Sequence, residues 1–235
     1  MTVVLFDIDG TIVTKVTSGV TGKQVAYTRV IEEIYGIANL DYMMFPIFGL
    51  TDQGILYLML RAQGIDDAVI ASGQAEFARR VVACNDAFAR GCETQYGALP
   101  GAYDLLRLLK REAVTLALAT GNYESLARFK LAEAGLEAFF SGGGFGEAGI
   151  AREEIVREAV RRTRSSAVEP VVLLGDTPND INAAHQNGIA CIAVATGRFS
   201  RQELIACAYS EDDVFPDLTD TQAVMNRIHT LCCTE

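Results

Sequence analysis

Residues 3–13 read VVLFDIDGTIV: four apolar residues, two aspartates two apart, a Gly-Thr pair and a return to apolar residues. A short continuous apolar run is the pattern of a strand buried on both faces. At the end of such a strand, alternation points Asp7 and Asp9 roughly the same way. Gly10 permits an immediate turn there, and Thr11 can cap or brace it. Carboxylates at the mouth of a buried strand are costly unless something compensates them.

The apolar pattern recurs in VTLALA at 114–119, VVLLG at 171–175 and IACIAVA at 189–195. Helix-length segments lie between them, at 102–111, 122–134, 152–164 and 178–187. Continuous apolar strands alternating with helices predict a doubly wound, Rossmann-like α/β sheet. The interval 14–91 breaks that rhythm with three helical patterns, KQVAYTRVIEEIYG, DQGILYLMLRAQG and DAVIASGQAEFARRVVACNDAFAR, and no convincing strand. YGALPGA at 96–102 marks the return to the sheet. The expected organisation is an α/β catalytic core of residues 1–13 and 92–235 with an all-helical cap, 14–91, threaded into its first crossover.

The chain has 235 residues, is 50% hydrophobic and carries a net charge of −10 without a basic stripe. Nucleic acid and anionic membranes are therefore poor partners, and an anionic ligand would need positive charge recruited locally, as by a metal cation. None of the cysteines, Cys84, Cys92, Cys191, Cys207, Cys232 and Cys233, forms a CxxC pair, so buried free thiols are expected rather than a zinc site. The first residues lack the basic region and apolar length of a signal peptide, and no stretch reaches membrane-spanning length. A cytoplasmic location is expected, with oligomeric state open.

Three of the strands end in residues capable of chemistry: Asp7, Thr120 and Asp176. Ligands of open α/β sheets bind outside the carboxyl ends of the strands, so these three are expected to converge. GDTPND at 175–180 adds Asp180, with Thr177 and Pro178 suited to a helix start. Carboxylates gathered at one point repel one another unless a hard cation joins them, and Mg²⁺ fits an all-oxygen donor set.

In order and spacing these stretches resemble the haloacid-dehalogenase-like hydrolases, in particular the branch of phosphoglycolate phosphatase. DIDGT is similar to the family's first motif, the end of LALAT at 116–120 to its second and GDTPND to its fourth. The helical insert matches the family's mobile cap. The resemblance implies that Asp7 is a nucleophile forming an aspartyl-phosphate, with Asp9 as acid to the leaving alcohol and base for water. It implies phosphate binding by Thr120 with the Gly121 and Asn122 amides, beside Gly10 and Thr11. It also implies Mg²⁺ held by Asp7, the Asp9 carbonyl, Asp176 and Asp180, and a small phosphorylated metabolite as substrate.

The third motif departs from the family pattern, because no lysine follows Lys130. Arg152, in GIAREEIVREAV, is the nearest cation to its usual place, with Arg157 as the fallback. In the cap, FGLTDQGIL at 48–56 resembles a Gly-x-Thr-Asp stretch of this branch. Thr51 or Asp52 there is expected to cap a helix, and on cap closure the loop is expected to face the site, with Thr51 as the candidate substrate contact. GFGEAG at 144–149 matches a dinucleotide fingerprint in letters only, since DIDGT occupies the first strand-to-helix turn; it is expected to be a flexible loop. His185 and His229 are expected to serve packing or surface roles. Dehalogenation is disfavoured by Asp9, and phosphonoacetaldehyde-type hydrolysis by Asp9 and by its need for a Schiff-base lysine in the cap. A sugar phosphomutase of the β-phosphoglucomutase type and a non-catalytic phosphate-binding protein remain as rivals to a phosphatase.

Overall fold

The computed structural model describes residues 2–89, 95–112 and 114–233. The expected boundary between cap and core at residues 91 and 92, together with Cys92, lies outside them. Strand β1 (Thr2–Phe6) runs into a tight turn and then β2 (Val13–Lys15). Three helices follow: α1 (Gly22–Tyr35), α2 (Asp52–Arg61) and α3 (Asp67–Ala89). The chain returns through β3 (Tyr96–Ala98), α4 (Ala102–Arg111), β4 (Val114–Ala119), α5 (Glu124–Glu133) and β5 (Gly143–Gly144). It ends with α6 (Arg152–Thr163), β6 (Val171–Gly175), α7 (Pro178–Gln186), β7 (Ala190–Val194), α8 (Arg201–Ile205), β8 (Val214–Phe215) and α9 (Thr221–Cys233).

Six strands form one parallel sheet in the order β5-β4-β1-β6-β7-β8. Its two faces divide the apolar residues of β1 by alternation. Val4 and Phe6 enter a cluster with Leu105, Leu109 and Leu131, whereas Val3 and Leu5 enter the opposite one with Val156 and Ile181. Both faces are covered, which explains why β1 is continuously apolar. In register, Phe6 stands opposite Leu118 of β4 and Leu174 of β6. The residues that follow these three therefore emerge side by side where the connections part to either side of β1, the switch point of the sheet.

Helices α1 to α3 pack around their own apolar cluster, which includes Tyr27, Leu56, Met59 and Phe77. Tyr123 and Leu126, beyond the end of β4, join that cluster and fix the helical unit to the sheet. The expectation of no strand in 14–91 needs correction, because β2 spans its beginning and pairs antiparallel with β3. Two strands of three residues each are too short to show a period in sequence. The GFGEAG stretch also differs from the expected flexible loop. Its first glycine ends β5, and buried Gly146 starts a 3₁₀ turn, where a Cβ would collide with the Gly121 carbonyl. These glycines serve close packing.

Candidate active site

Asp7 follows β1 and its amide donates to the Leu174 carbonyl at 2.9 Å, so the backbone of β6 fixes its position. Gly10 adopts φ +80°, which a side chain tolerates poorly, and this lets the chain reverse at once. A Cβ there, or at Gly197, would collide with Asp176 Oδ2. The two glycines thus make room for the Asp176 carboxylate. Thr177 caps α7, with Pro178 in its first turn, and the Asp180 amide donates to Thr177 Oγ1 at 3.2 Å. That reciprocal cap turns Asp180 back toward β1.

Carboxylate oxygens of Asp7, Asp176 and Asp180 lie within 4.8 Å of one another, and all three residues are buried. Arg152, at the start of α6, is the counter-charge. Its Nη2 reaches Asp7 Oδ1 at 2.7 Å and Asp180 Oδ1 at 2.6 Å, and it donates to the Ala119 carbonyl at 2.9 Å. Arg157 is exposed on the same helix. Burial pushes the Asp7 carboxyl up to about 6, with Arg152 opposing and Asp180 adding to the rise. Burial, then the charges of Asp7 and Asp180, pushes Asp176 well above the carboxylate range. Three carboxylates against one guanidinium leave an excess of negative charge in a buried site built of oxygen donors. That donor set fits a hard divalent cation such as Mg²⁺.

Asp9, two residues on, has different company. Lys130 Nζ, on the buried face of α5, lies 2.8 Å from Asp9 Oδ1 and 2.6 Å from Oδ2. Asn122 Nδ2 donates to Asp9 Oδ2 at 2.8 Å and to Thr120 Oγ1 at 2.9 Å. Burial works to raise the Asp9 carboxyl, yet Lys130 and Lys23 hold it below its ordinary value. The Asp9 side chain is 45% exposed and opens onto the cavity, whereas that of Lys130 is 6% exposed.

A cavity of about 320 Å³ joins these two corners under the helical unit. Asp7, Asp9, Asp176, Thr120, Gly121 and Arg152 line its floor. Tyr42, Met43, Ile47 and Phe48 from the cap supply an apolar roof. The cap is tied down at several points: the Asp52 amide donates to the Gly121 carbonyl at 2.7 Å, and Asn179 Nδ2 to the Gly49 carbonyl at 3.1 Å. At Gly121 a Cβ would come 2.7 Å from the Leu50 carbonyl oxygen, so glycine permits this approach.

The expected residues thus fall into three sets. Asp7, Asp9, Thr120, Gly121, Asn122, Arg152 and Asp176 share the cavity wall, and Asp180 stands behind Asp7. Gly10 and Thr11, expected beside substrate, line no part of the cavity. Thr11 is fully buried with its hydroxyl 3.4 Å from Asp176 Oδ1, a brace for that carboxylate. Thr51 is also corrected as a substrate contact. Its hydroxyl accepts from the Gly54 amide at 2.9 Å, capping α2, and donates to the Ile150 carbonyl at 2.8 Å, away from the cavity lining.

Lys130 and Lys23 were not anticipated, and Asp52 only as a helix cap. For Lys130 a signal existed: it shares the helical stripe of Leu126, Ala127 and Leu131, a charged residue on an apolar face. His185 stacks on Tyr209 and His229 pairs with Glu112 at 2.7 Å, both outside the cavity lining. Cys84, Cys191 and Cys207 are free thiols.

A family model of the haloacid dehalogenase-like hydrolases matches residues 1–188. No curated protein sequence matches the chain. Among solved structures, a protein described as a β-phosphoglucomutase, from Thermotoga maritima, is similar at 23% identity and TM-score 0.58, covering 97% of this chain and 99% of its own. A predicted phosphoglycolate phosphatase from Haemophilus somnus is similar at 17% identity and TM-score 0.64, with coverage of 95% and 97%. CbbY from Rhodobacter sphaeroides, solved in complex with phosphate, is similar at 21% identity and TM-score 0.65, covering 93% and 95%. At these identities the likeness is one of fold.

Proposed function

The chain belongs to the haloacid dehalogenase-like hydrolase family, and from that premise we propose that it is a Mg²⁺-dependent phosphatase of a small phosphomonoester, working through an aspartyl-phosphate on Asp7. The observation that carries this reading is the separation of two neighbouring carboxylates into different surroundings: Asp7 in a clamped acidic cluster, Asp9 on a basic wall facing the same cavity.

Asp7 Oδ attacks phosphorus, and the bond from phosphorus to the ester oxygen breaks with its electron pair moving to that oxygen. In its protonated form Asp9, a strong proton donor beside Lys130 and Lys23, delivers its proton to the departing alcohol, and the resulting carboxylate removes one from the water that attacks the phosphoenzyme and frees Asp7. Arg152 holds Asp7 in place, and its fork is suited to oxyanions. Thr120 and Gly121 line the cavity beside Asp7, where they would bind the phosphate oxygens. Asp7, Asp176 and Asp180 would hold Mg²⁺, which offsets the repulsion between a carboxylate nucleophile and an anionic ester. With substrate filling the cavity, the apolar residues of the cap would help to exclude water from the reacting groups.

The test is phosphate release from an aryl phosphate with and without Mg²⁺, for the wild-type protein and Asp7→Asn. Turnover that requires both Mg²⁺ and Asp7 supports a phosphatase. The Thermotoga likeness keeps a sugar phosphomutase as the second reading. Phosphoryl return to a sugar phosphate in place of water would favour it.

A further inference from the structure

The wall around Asp9 contains more charge than a lone acid-base residue needs. Lys130 is buried, and its Nζ contacts both Asp9 oxygens and Asn122 Oδ1, the last at 2.8 Å. Lys23, from the first turn of α1 in the cap, reaches Asn122 Oδ1 at 3.2 Å. Its other partner is Asp52 Oδ1 at 2.5 Å, and Asp52 is fully buried at the start of α2. Asp52 Oδ2 in turn accepts from the Tyr123 amide at 2.8 Å, which returns the chain of contacts to the sheet. Two ammonium groups therefore converge on one Asn122 oxygen, one from the sheet domain and one from the cap.

From this arrangement we infer that Lys130 is the positioning residue of Asp9, and that Lys23 completes the arrangement only when the cap is seated. The inference rests on the phosphatase reading and extends it to residues outside the family motifs. A carboxylate offers about four acceptor sites. Lys130 occupies one on each oxygen and Asn122 a second on Oδ2. The remaining acceptor site, on Oδ1, is the one through which Asp9 exchanges its proton with the leaving alcohol or with water. Holding three sites fixes the rotation of the carboxylate and aims the fourth. Asn122 cannot do this alone, because its amide oxygen needs the two ammonium donors to keep its NH₂ turned toward Asp9. Burying Lys130 is costly unless it is paired, and Asp9 and Asn122 meet that condition together.

The test compares Lys130→Met, Lys130→Arg and Lys23→Met with the wild-type protein on two Mg²⁺-supplemented substrates. One is an alkyl phosphate, whose leaving group needs a proton. The other is nitrophenyl phosphate, whose leaving group needs none. K130M is expected to lower kcat on the alkyl ester about a hundredfold with KM little changed, while first-turnover release of nitrophenol stays within about threefold of wild type. K130R, which keeps the charge, is expected to recover at least about tenfold of the loss. Unchanged kcat in K130M overturns the inference, as does an equal fall in kcat and in first-turnover release, which marks a merely structural role. If K130M does not fold, K23M decides, with kcat on the alkyl ester expected to fall about tenfold while first-turnover release of nitrophenol is unchanged. Wild-type protein without turnover on either substrate overturns the phosphatase reading, and this inference with it. Active wild type with indifferent variants overturns this inference alone.

Discussion

Asp7 and Asp9 leave the same strand two residues apart, yet they occupy opposite electrostatic regions. At the acidic end of the cavity, burial pushes Asp7 up to about 6, with a single arginine opposing the rise and Asp180 adding to it. On the basic wall, Lys130 and Lys23 overcome burial and hold Asp9 low. A residue type therefore does not fix a role; the elements that pack around it do. The acidic end is assembled by strands β1 and β6 with the first turns of α6 and α7, and its one guanidinium, that of Arg152, faces three carboxylates. The basic wall draws on α5 and the cap, and its charge is supplied by the chain itself.

The contrast is broken most severely by removing Arg152. R152A leaves Asp7 and Asp180 buried without a counter-charge, and an expected loss of about 3–5 kcal/mol follows, read from urea unfolding without added cation. Added Mg²⁺ is expected to recover part of it, since a second cation then serves the same carboxylates.

Mg²⁺ sharpens the contrast by a smaller amount. In the wild-type chain a hundredfold excess over Kd is expected to add about 2.7 kcal/mol of stability. The sign of the pH dependence follows from Asp7, raised from 3.8 to about 6 in the cation-free site. A carboxyl raised on folding favours the fold only while protonated. Its contribution is complete below 3.8 and is lost as pH rises through about 6. Cation binding requires the ionised form, so the rise in Tm with Mg²⁺ is expected to be larger at pH 7.5 than at pH 5. An equal rise at both would remove Asp7 from the cation site.

The smallest effect concerns Thr51, a cap residue that touches neither region. T51A is expected to cost about 1 kcal/mol through loss of the α2 cap, with KM unchanged. A large rise in KM at unchanged stability would return Thr51 to the substrate side.

Much of the acidic end was legible in the sequence, because each of its carboxylates follows or closely trails an apolar strand. DIDGT and GDTPND announce their own turns through Gly10, Thr177 and Pro178, and the parallel sheet brings their strands together. The basic wall was not legible in the same way. Lys130 meets Asp9 only because α5 lays its apolar stripe on the sheet, and Lys23 meets Asn122 only because the cap packs on Tyr123 and Leu126. Those contacts depend on how helices dock, which no local spacing encodes. Arg152 lies between these cases: its place at the head of α6 is visible, but its grip on both Asp7 and Asp180 requires the fold. The short strands β2, β3, β5 and β8 were missed because two or three residues cannot display alternation.

The central claim is that Asp7 carries the phosphoryl group. The direct measurement is acid quenching of the protein with a phosphomonoester and Mg²⁺, followed by mass spectrometry of its peptides. A phosphoryl adduct on Asp7 is expected, lost in Asp7→Asn and longer-lived when Asp9 is replaced by asparagine. Turnover without an adduct at Asp7, or turnover retained in Asp7→Asn, would contradict it.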